Sequence, residues 1–282
     1  MQIKLFTILF SAAAILLASC HSSSNALYKT TDFDYKYEAA KEYYAAGKYT
    51  KCSQLLEEMV MLMKGTEKAE ESLFMLGMCY YNMSDYETAA MYLDRYYKTY
   101  SKGTYTELAR FFSGKASYMQ SPDVRLDQSS TVTSINTLLE FLDFYPYSDK
   151  RDEVYEMLEE LRNRLAEKEY QSALLYYNLG SYTGNCIYGG NNYEACIITA
   201  ENTLKTYPYT SRREDLMMMV LRARYRLASK SVPEKKEERY RETIDEYFGF
   251  KNEFPESKYA SEADKIYKYS LAKNPEKDKD IN

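Results

Sequence analysis

Apolar residues recur along most of this chain every three or four positions, with charged or polar residues between them. The clearest stretch is Leu73-x2-Leu76-Gly77-x2-Tyr80 followed by Tyr86-x2-Ala89-x3-Leu93. That spacing lays one apolar stripe along each of two consecutive helices. Gly77 and Ala89 are small where two antiparallel helices have to cross closely, and Leu76, Tyr80 and Leu93 fill the space around the crossing. Ser84-Asp85 is turn chemistry between them. The same frame fits Ala40, Tyr43, Gly47, Tyr49, Cys52 and Leu56 upstream, and Tyr176-x2-Leu179-Gly180 with Tyr193-x2-Cys196 downstream. Second helices thus share a Tyr-x2-small signature: Tyr49/Cys52, Tyr86/Ala89, Tyr193/Cys196 and, more loosely, Tyr240/Thr243. One such match is weak, but several in frame mark an internal repeat.

The ends of the second helices are punctuated alike, by Tyr145-Pro146-Tyr147-Ser148, Tyr207-Pro208-Tyr209-Thr210 and Phe254-Pro255-Glu256-Ser257. Proline stops a helix, and the hydroxyl two residues later is placed to cap the next one. Thr104-x2-Glu107 and Ser211-x2-Glu214 read as capping boxes. The pattern predicts an all-α fold, a superhelical array of tetratricopeptide-type repeats. Five helix pairs are expected over 33–64, 70–101, 104–146, 149–208 and 211–255, with a capping helix over 257–272. Residues 120–130 read as a long inter-helix loop, 184–192 as an insertion and 273–282 as a charged tail. Each repeat buries its apolar face only against its neighbours, so 33–272 is expected to form one domain.

Composition narrows the chemistry. Gly (10) and Pro (6) are scarce, against the frequent turns of an all-β protein. A net charge of −5 argues against affinity for nucleic acid built on phosphate neutralisation. There is one histidine, His21, so no His-based metal site or nucleophile pair is expected inside the fold, and no catalytic residue or cofactor is assigned. The 32 tyrosines read first as core filling with a wet phenolic tip, and second as protein-contact surface.

The N-terminus reads as an address. Met1–Lys4 is a short positive start, Leu5–Leu17 carries no charge, and Leu17-Ala18-Ser19-Cys20 is a lipobox pattern. Residues 1–19 are expected to be a signal peptide and Cys20 the lipidated first mature residue, held by two or three acyl chains. Residues 20–32 would be a tether, polar from His21 to Asn25. Cys186 and Cys196 flank a Gly/Asn-rich loop and could pair. The alternative is that they, like Cys52 and Cys79, are small buried residues. The repeat frame favours that alternative for Cys52 and Cys196.

Further residues carry a family resemblance. Asp127-Gln128, the ending Phe141-Leu142-x2-Tyr145-Pro146-x-Ser148, then Arg162-x2-Leu165-Ala166-x2-Glu169-Tyr170-x2-Ala173-x2-Tyr176-Tyr177 and Tyr207-Pro208-x-Thr210 resemble the central segment of the outer-membrane protein assembly factor BamD family. With the lipobox, the resemblance runs from Cys20 to about Leu271. Tyr100-Ser101 stands where that family usually has Tyr-Pro, the 184–192 insertion is extra, and the tail is longer. The resemblance implies a scaffold lipoprotein of the β-barrel assembly machinery, anchored on the periplasmic face of the outer membrane. Its partners would be a BamA-like insertase, unfolded outer-membrane β-barrel proteins and other lipoproteins of the machinery. The N-terminal repeats would hold the substrate segment and the C-terminal repeats the insertase.

Inner-groove residues of such an array come from the first helix of each pair. In the first two repeats these are Tyr37, Lys41, Tyr44, Phe74, Met78, Tyr81 and Asn82, a cradle suited to an aromatic-rich strand, although any one of them could equally be inter-repeat packing. Arg212-Arg213 sits at a helix start, where the macrodipole disfavours cations. It reads either as a solvated charge cluster or as a contact to an acidic insertase surface. The second functional reading is a repeat lipoprotein serving another envelope complex, in secretion, motility or glycan uptake. The absence of Trp weighs against stacking on sugars, and no segment is left over for a catalytic domain.

Overall fold

The computed structural model describes residues 27, 30–63, 65–182 and 191–274. The signal peptide, Cys20 and most of the tether, Cys186 and the charged tail from residue 275 lie outside the described residues. Among the described residues there are eleven helices, of 13 to 29 residues, and no strand. They are α1 (Phe33–Ala45), α2 (Tyr49–Leu62), α3 (Glu67–Asn82), α4 (Tyr86–Thr99), α5 (Thr106–Met119), α6 (Ser129–Phe144), α7 (Arg151–Leu179), α8 (Asn192–Thr206), α9 (Arg213–Ser229), α10 (Pro233–Glu253) and α11 (Ala260–Ala272). The protein is therefore all-α, with the five pairs and closing helix that the repeat predicts. The helices divide between two compact units. Unit 1 holds residues up to Ser121 together with Ser130–Val154, and unit 2 holds Pro122–Ser129 together with Tyr155 onward.

Within each pair the crossing is made by small residues. A Cβ added to Gly77 would lie 2.7 Å from the Leu93 side chain, and one added to Gly114 would lie 2.7 Å from that of Leu138. On the second helices the small position is fully buried in every pair, at Cys52, Ala89, Ser134, Cys196 and Thr243. Ser134 escapes the sequence signature because Thr131 stands where the other pairs have Tyr.

The downstream frame needs correcting at Gly180. It does not occupy the crossing but ends α7, with φ of 54°. The crossing residue is Ala173, fully buried among Tyr193, Cys196 and Ala200. Counted from Ala40, Gly77 and Ala173, the residue seven positions on is Gly47, Ser84 or Gly180, with φ of 68°, 62° and 54°. The first helix therefore stops about two turns beyond its crossing, in a left-handed residue that Gly adopts without strain.

Helix starts use several devices. Asp32 accepts the Tyr35 N–H at 3.0 Å, Asp85 the Thr88 N–H at 3.2 Å and Asn191 the Tyr193 N–H at 2.8 Å. Pro233 opens α10, where its missing N–H costs nothing. The two expected capping boxes are not formed: the caps of α5 and α9 are Tyr105 and Arg212, neither with a side-chain cap bond. The hydroxyls after the Pro instead close turns one step earlier. Ser148 accepts from the Lys150 N–H at 3.1 Å and Ser257 from the Tyr259 N–H at 2.9 Å. Asp85→Ala is expected to cost about 1 kcal/mol in a urea melt, the usual value of an N-cap.

Unit 1 has a core of Leu55, Leu56, Leu76, Cys79, Leu93 and Tyr96, joined by Leu27 from the segment ahead of α1. Unit 2 is centred on Ala173, Ile197, Leu216 and Val220, with a second cluster of Met217, Met218, Leu221 and Phe250. The Met217-Met218-Met219 run is buried throughout. Cys52, Cys79 and Cys196 are free, buried thiols, and burial pushes the Cys196 thiol up to about 12.

Candidate functional site

In unit 1, the amphipathic faces of α1 and α3 leave a cleft of about 250 Å³, closed at one side by the residue that precedes α5. Its lining is Lys41 and Tyr44 from α1, Glu71, Phe74 and Met75 from α3, and Tyr105. The Phe74 ring stacks on Tyr105 at 4.6 Å with planes 7° apart, and meets Tyr96 edge-on at 5.6 Å. These contacts hold Phe74 in one rotamer, so the aromatic wall is set before any ligand arrives.

The polar rim is equally fixed. The Tyr37 hydroxyl donates to Glu71, and Lys41 Nζ lies 3.9 Å from the other Glu71 oxygen. The ammoniums of Lys41 and Lys68 sit over the Tyr37 ring at 5.2 and 4.9 Å. Burial first, and the Glu71 carboxylate second, raise the Tyr37 hydroxyl well above the ordinary tyrosine value, and burial raises Tyr44. Both phenols are therefore neutral at physiological pH. The cleft offers an apolar, aromatic interior with one exposed ammonium and one partly used carboxylate at its edge. Its volume suits one or two large side chains of an extended peptide, below the usual 300–1,000 Å³ of a small-molecule pocket.

Of the seven groove residues expected from sequence, Lys41, Tyr44 and Phe74 line this cleft and Tyr37 braces its rim. The other three are placed differently. Met78 is buried at 8% exposure and packs in the unit 1 core. Tyr81 lies against Tyr86 and Phe112. Asn82 donates to the Met78 carbonyl at 2.7 Å. Glu71 and Met75 were legible in principle, because they share the helical stripe of Phe74 and Met78. Tyr105 has no local signal, since a turn outside the first helices brings it in.

In unit 2, Arg212 and Arg213 are bound internally. Arg212 pairs with Glu167 and, at 3.1 Å, with Asp215, and covers the Tyr170 ring at 4.7 Å. Arg213 forms a two-pronged pair with Glu253 and donates to the Pro208 carbonyl at 3.1 Å. These bonds tie the start of α9 to α7 and to the end of α10, and they offset the unfavourable macrodipole. A second cleft of about 590 Å³ lies between α7 and the turn after α8. It is lined by Tyr155, Arg162, Tyr207, Pro208 and Tyr209 among others, none of them assigned a groove role from sequence. Among the described residues no group of three or more His, Cys, Asp or Glu could hold a metal ion, and no helix is long and apolar enough to cross a membrane.

Comparison with known proteins gives one family. The model of the family described as "YfiO: Outer membrane lipoprotein" matches residues 30–187. No curated protein matches the chain. Among solved structures, the TPR2AB domain of yeast Sti1 in complex with pHSP90 is 15% identical, with a TM-score of 0.38 over 85% of this chain and 98% of that one. A Podosopora anserina kinesin light chain with nearly identical TPR-like repeats is 12% identical, with a TM-score of 0.31 over 79% of this chain and 96% of that one.

Proposed function

The chain belongs to the YfiO family of outer membrane lipoproteins, and from that premise we propose that it is a non-catalytic scaffold of the machinery that inserts β-barrel proteins into the outer membrane. Lipid on Cys20 holds it at the periplasmic face. The unit 1 cleft grips an aromatic-bearing segment of an unfolded barrel protein. The C-terminal repeats dock on a BamA-like insertase, which meets the solvent-facing edges of the internally paired Arg212 and Arg213 at the start of α9, and other lipoproteins of the machinery join the assembly.

The observation that carries the substrate part is the cleft itself. Its preset Phe74–Tyr105 wall and exposed Lys41 lie within the family-matched segment and suit an apolar chain carrying a carboxylate. Backbone and aromatic side chains of an extended peptide can be held there without any reacting group. Phe74→Ala is expected to weaken binding of a fluorescent peptide from an unfolded barrel protein roughly tenfold, the scale of a truncated aromatic anchor. Fluorescence anisotropy with the purified protein measures it. Unchanged affinity in a folded Phe74→Ala protein would remove the cleft from the substrate path.

A further inference from the structure

One end of the first hairpin is apolar and uncovered. α1 and α2 run antiparallel, and the start of α1 lies beside the end of α2: Lys36 pairs with Glu58 at 2.7 Å, and Tyr37 packs with Met59 and Met63. At this end Met61 is 69% exposed, Leu62 60% and Tyr35 59%. Soluble surfaces carry single exposed apolar residues freely, but three large ones at the same end of one hairpin ask for a partner.

Three carboxylates around the patch are already engaged. Asp32 caps α1, Asp34 pairs with Lys68 at 2.8 Å, and Glu58 holds Lys36. Exposed Glu38, one turn on from Tyr35, is the acid left at the edge, and a single carboxylate does not fence the tip from an apolar or interfacial phase.

The chain also enters the fold here. Leu27 is buried in the unit 1 core at 6% exposure, and the Thr30 hydroxyl accepts the Asp32 N–H at 3.1 Å at the mouth of α1. Cys20 is seven residues before Leu27. Whatever path those residues take, they span at most about 25 Å. If acyl chains on Cys20 are in the bilayer, the leash cannot carry Leu27 further than that from the membrane surface.

We infer that unit 1 rests on the lipid surface through the Tyr35–Met61–Leu62 tip. The inference depends on the lipidation of Cys20 proposed above and adds an orientation to it. Met61 and Leu62 enter the interfacial region, and the amphipathic Tyr35 ring lies at headgroup level, the depth that tyrosine favours. The acyl chains and the tip act as two linked attachments, so even weak tip binding is favoured by the high effective concentration of lipid.

The test uses the full-length lipidated protein in phosphatidylethanolamine–phosphatidylglycerol vesicles containing acyl-brominated lipid. A quenchable fluorophore is placed by Met61→Cys or, as a control, by Lys48→Cys in the α1–α2 turn at the other end of the hairpin, each in a Cys186→Ser background. Mass spectrometry of the N-terminal peptide reports acylation of Cys20 separately. The expected result is quenching at position 61 several-fold above that at position 48, insensitive to salt. Acylated protein with equal or absent quenching at the two positions would overturn the orientation and leave the anchor standing. A peptide without acyl chains would remove both.

Discussion

Gly77→Val should destabilise unit 1 by about 2–3 kcal/mol, the upper part of the range for overpacking a tight contact. The reason is local. A Cβ at position 77 would stand 2.7 and 2.8 Å from two carbons of the Leu93 side chain and 3.4 Å from the Leu93 nitrogen. Leu93 is itself fully buried, so its side chain has no open space into which to retreat. Either Leu93 leaves its rotamer or α3 and α4 separate. Denaturant unfolding gives the number, and a double-mutant cycle gives the mechanism. Leu93→Ala alone should cost about 2–4 kcal/mol as a cavity, yet the pair should cost clearly less than the sum, because truncation removes the clash. Additive losses would mean that the two residues do not meet. Gly249 in α10 is the contrast: nothing lies within 4 Å of its added Cβ. Gly249→Ala should therefore stabilise by about 0.5–1 kcal/mol, the helix-propensity gain.

Alkaline pH should unfold this protein, with stability falling steadily above about pH 10. Buried tyrosines set the sign. Burial, and then hydrogen bonds to Glu71, Glu70 and Asp94, raise Tyr37, Tyr96 and Tyr97 well above their ordinary value of 10. Tyr240 and Tyr247 are pushed up to about 12, by burial first and then by Tyr269 and Asp264 respectively. In the unfolded chain these phenols ionise near 10, so above that pH the unfolded state binds fewer protons than the folded one, and stability falls as pH rises. The contribution of the neutral phenols is fully present below 10 and is lost as pH climbs through the folded values. Each such tyrosine removes about 1 kcal/mol per pH unit in that window, so several together are decisive for a domain of ordinary stability. Denaturation midpoints followed upward from neutral pH, with tyrosinate absorbance recorded alongside, should show both a late ionisation and its coincidence with unfolding. Tyrosines that ionise at their ordinary pH while the helical signal persists would contradict the buried Tyr–carboxylate pairs.

The pairing of helices was legible because the crossing makes a chemical demand that sequence cannot hide: small residues at Gly77 and Ala89, framed by Leu76, Tyr80 and Leu93. The demand is less visible when its flanks vary, which is why Ser134 went unseen behind Thr131. Gly180 misled for a related reason. Leu179-Gly180 copies the dipeptide Leu76-Gly77, but Gly180 stands seven residues past the crossing residue Ala173, in the left-handed place that Gly47 and Ser84 take. Helix starts were the least legible, since Ser211 and Thr104 have the chemistry of caps while the tight turns after Pro208 and after Tyr100 move the true cap on by one residue. In the cleft, helical spacing found Lys41, Tyr44 and Phe74, yet it gave Met78 a groove role although that side chain points into the core. Tyr105 depended on tertiary contact. Arg212 and Arg213 were visible as misplaced cations, whereas their carboxylate partners, 45 and 40 residues away, were not.

The central claim is that this lipoprotein works within the barrel-assembly machinery, and one measurement addresses it most directly. The tagged, lipidated protein is crosslinked briefly in intact envelopes, purified after mild solubilisation, and its partners and crosslinked residues are identified by mass spectrometry. The account predicts recovery of a large barrel protein with periplasmic repeat domains linked to residues near 205–255, and unfolded barrel segments linked near Tyr44 and Phe74. A different envelope complex, recovered in place of that barrel, would contradict it.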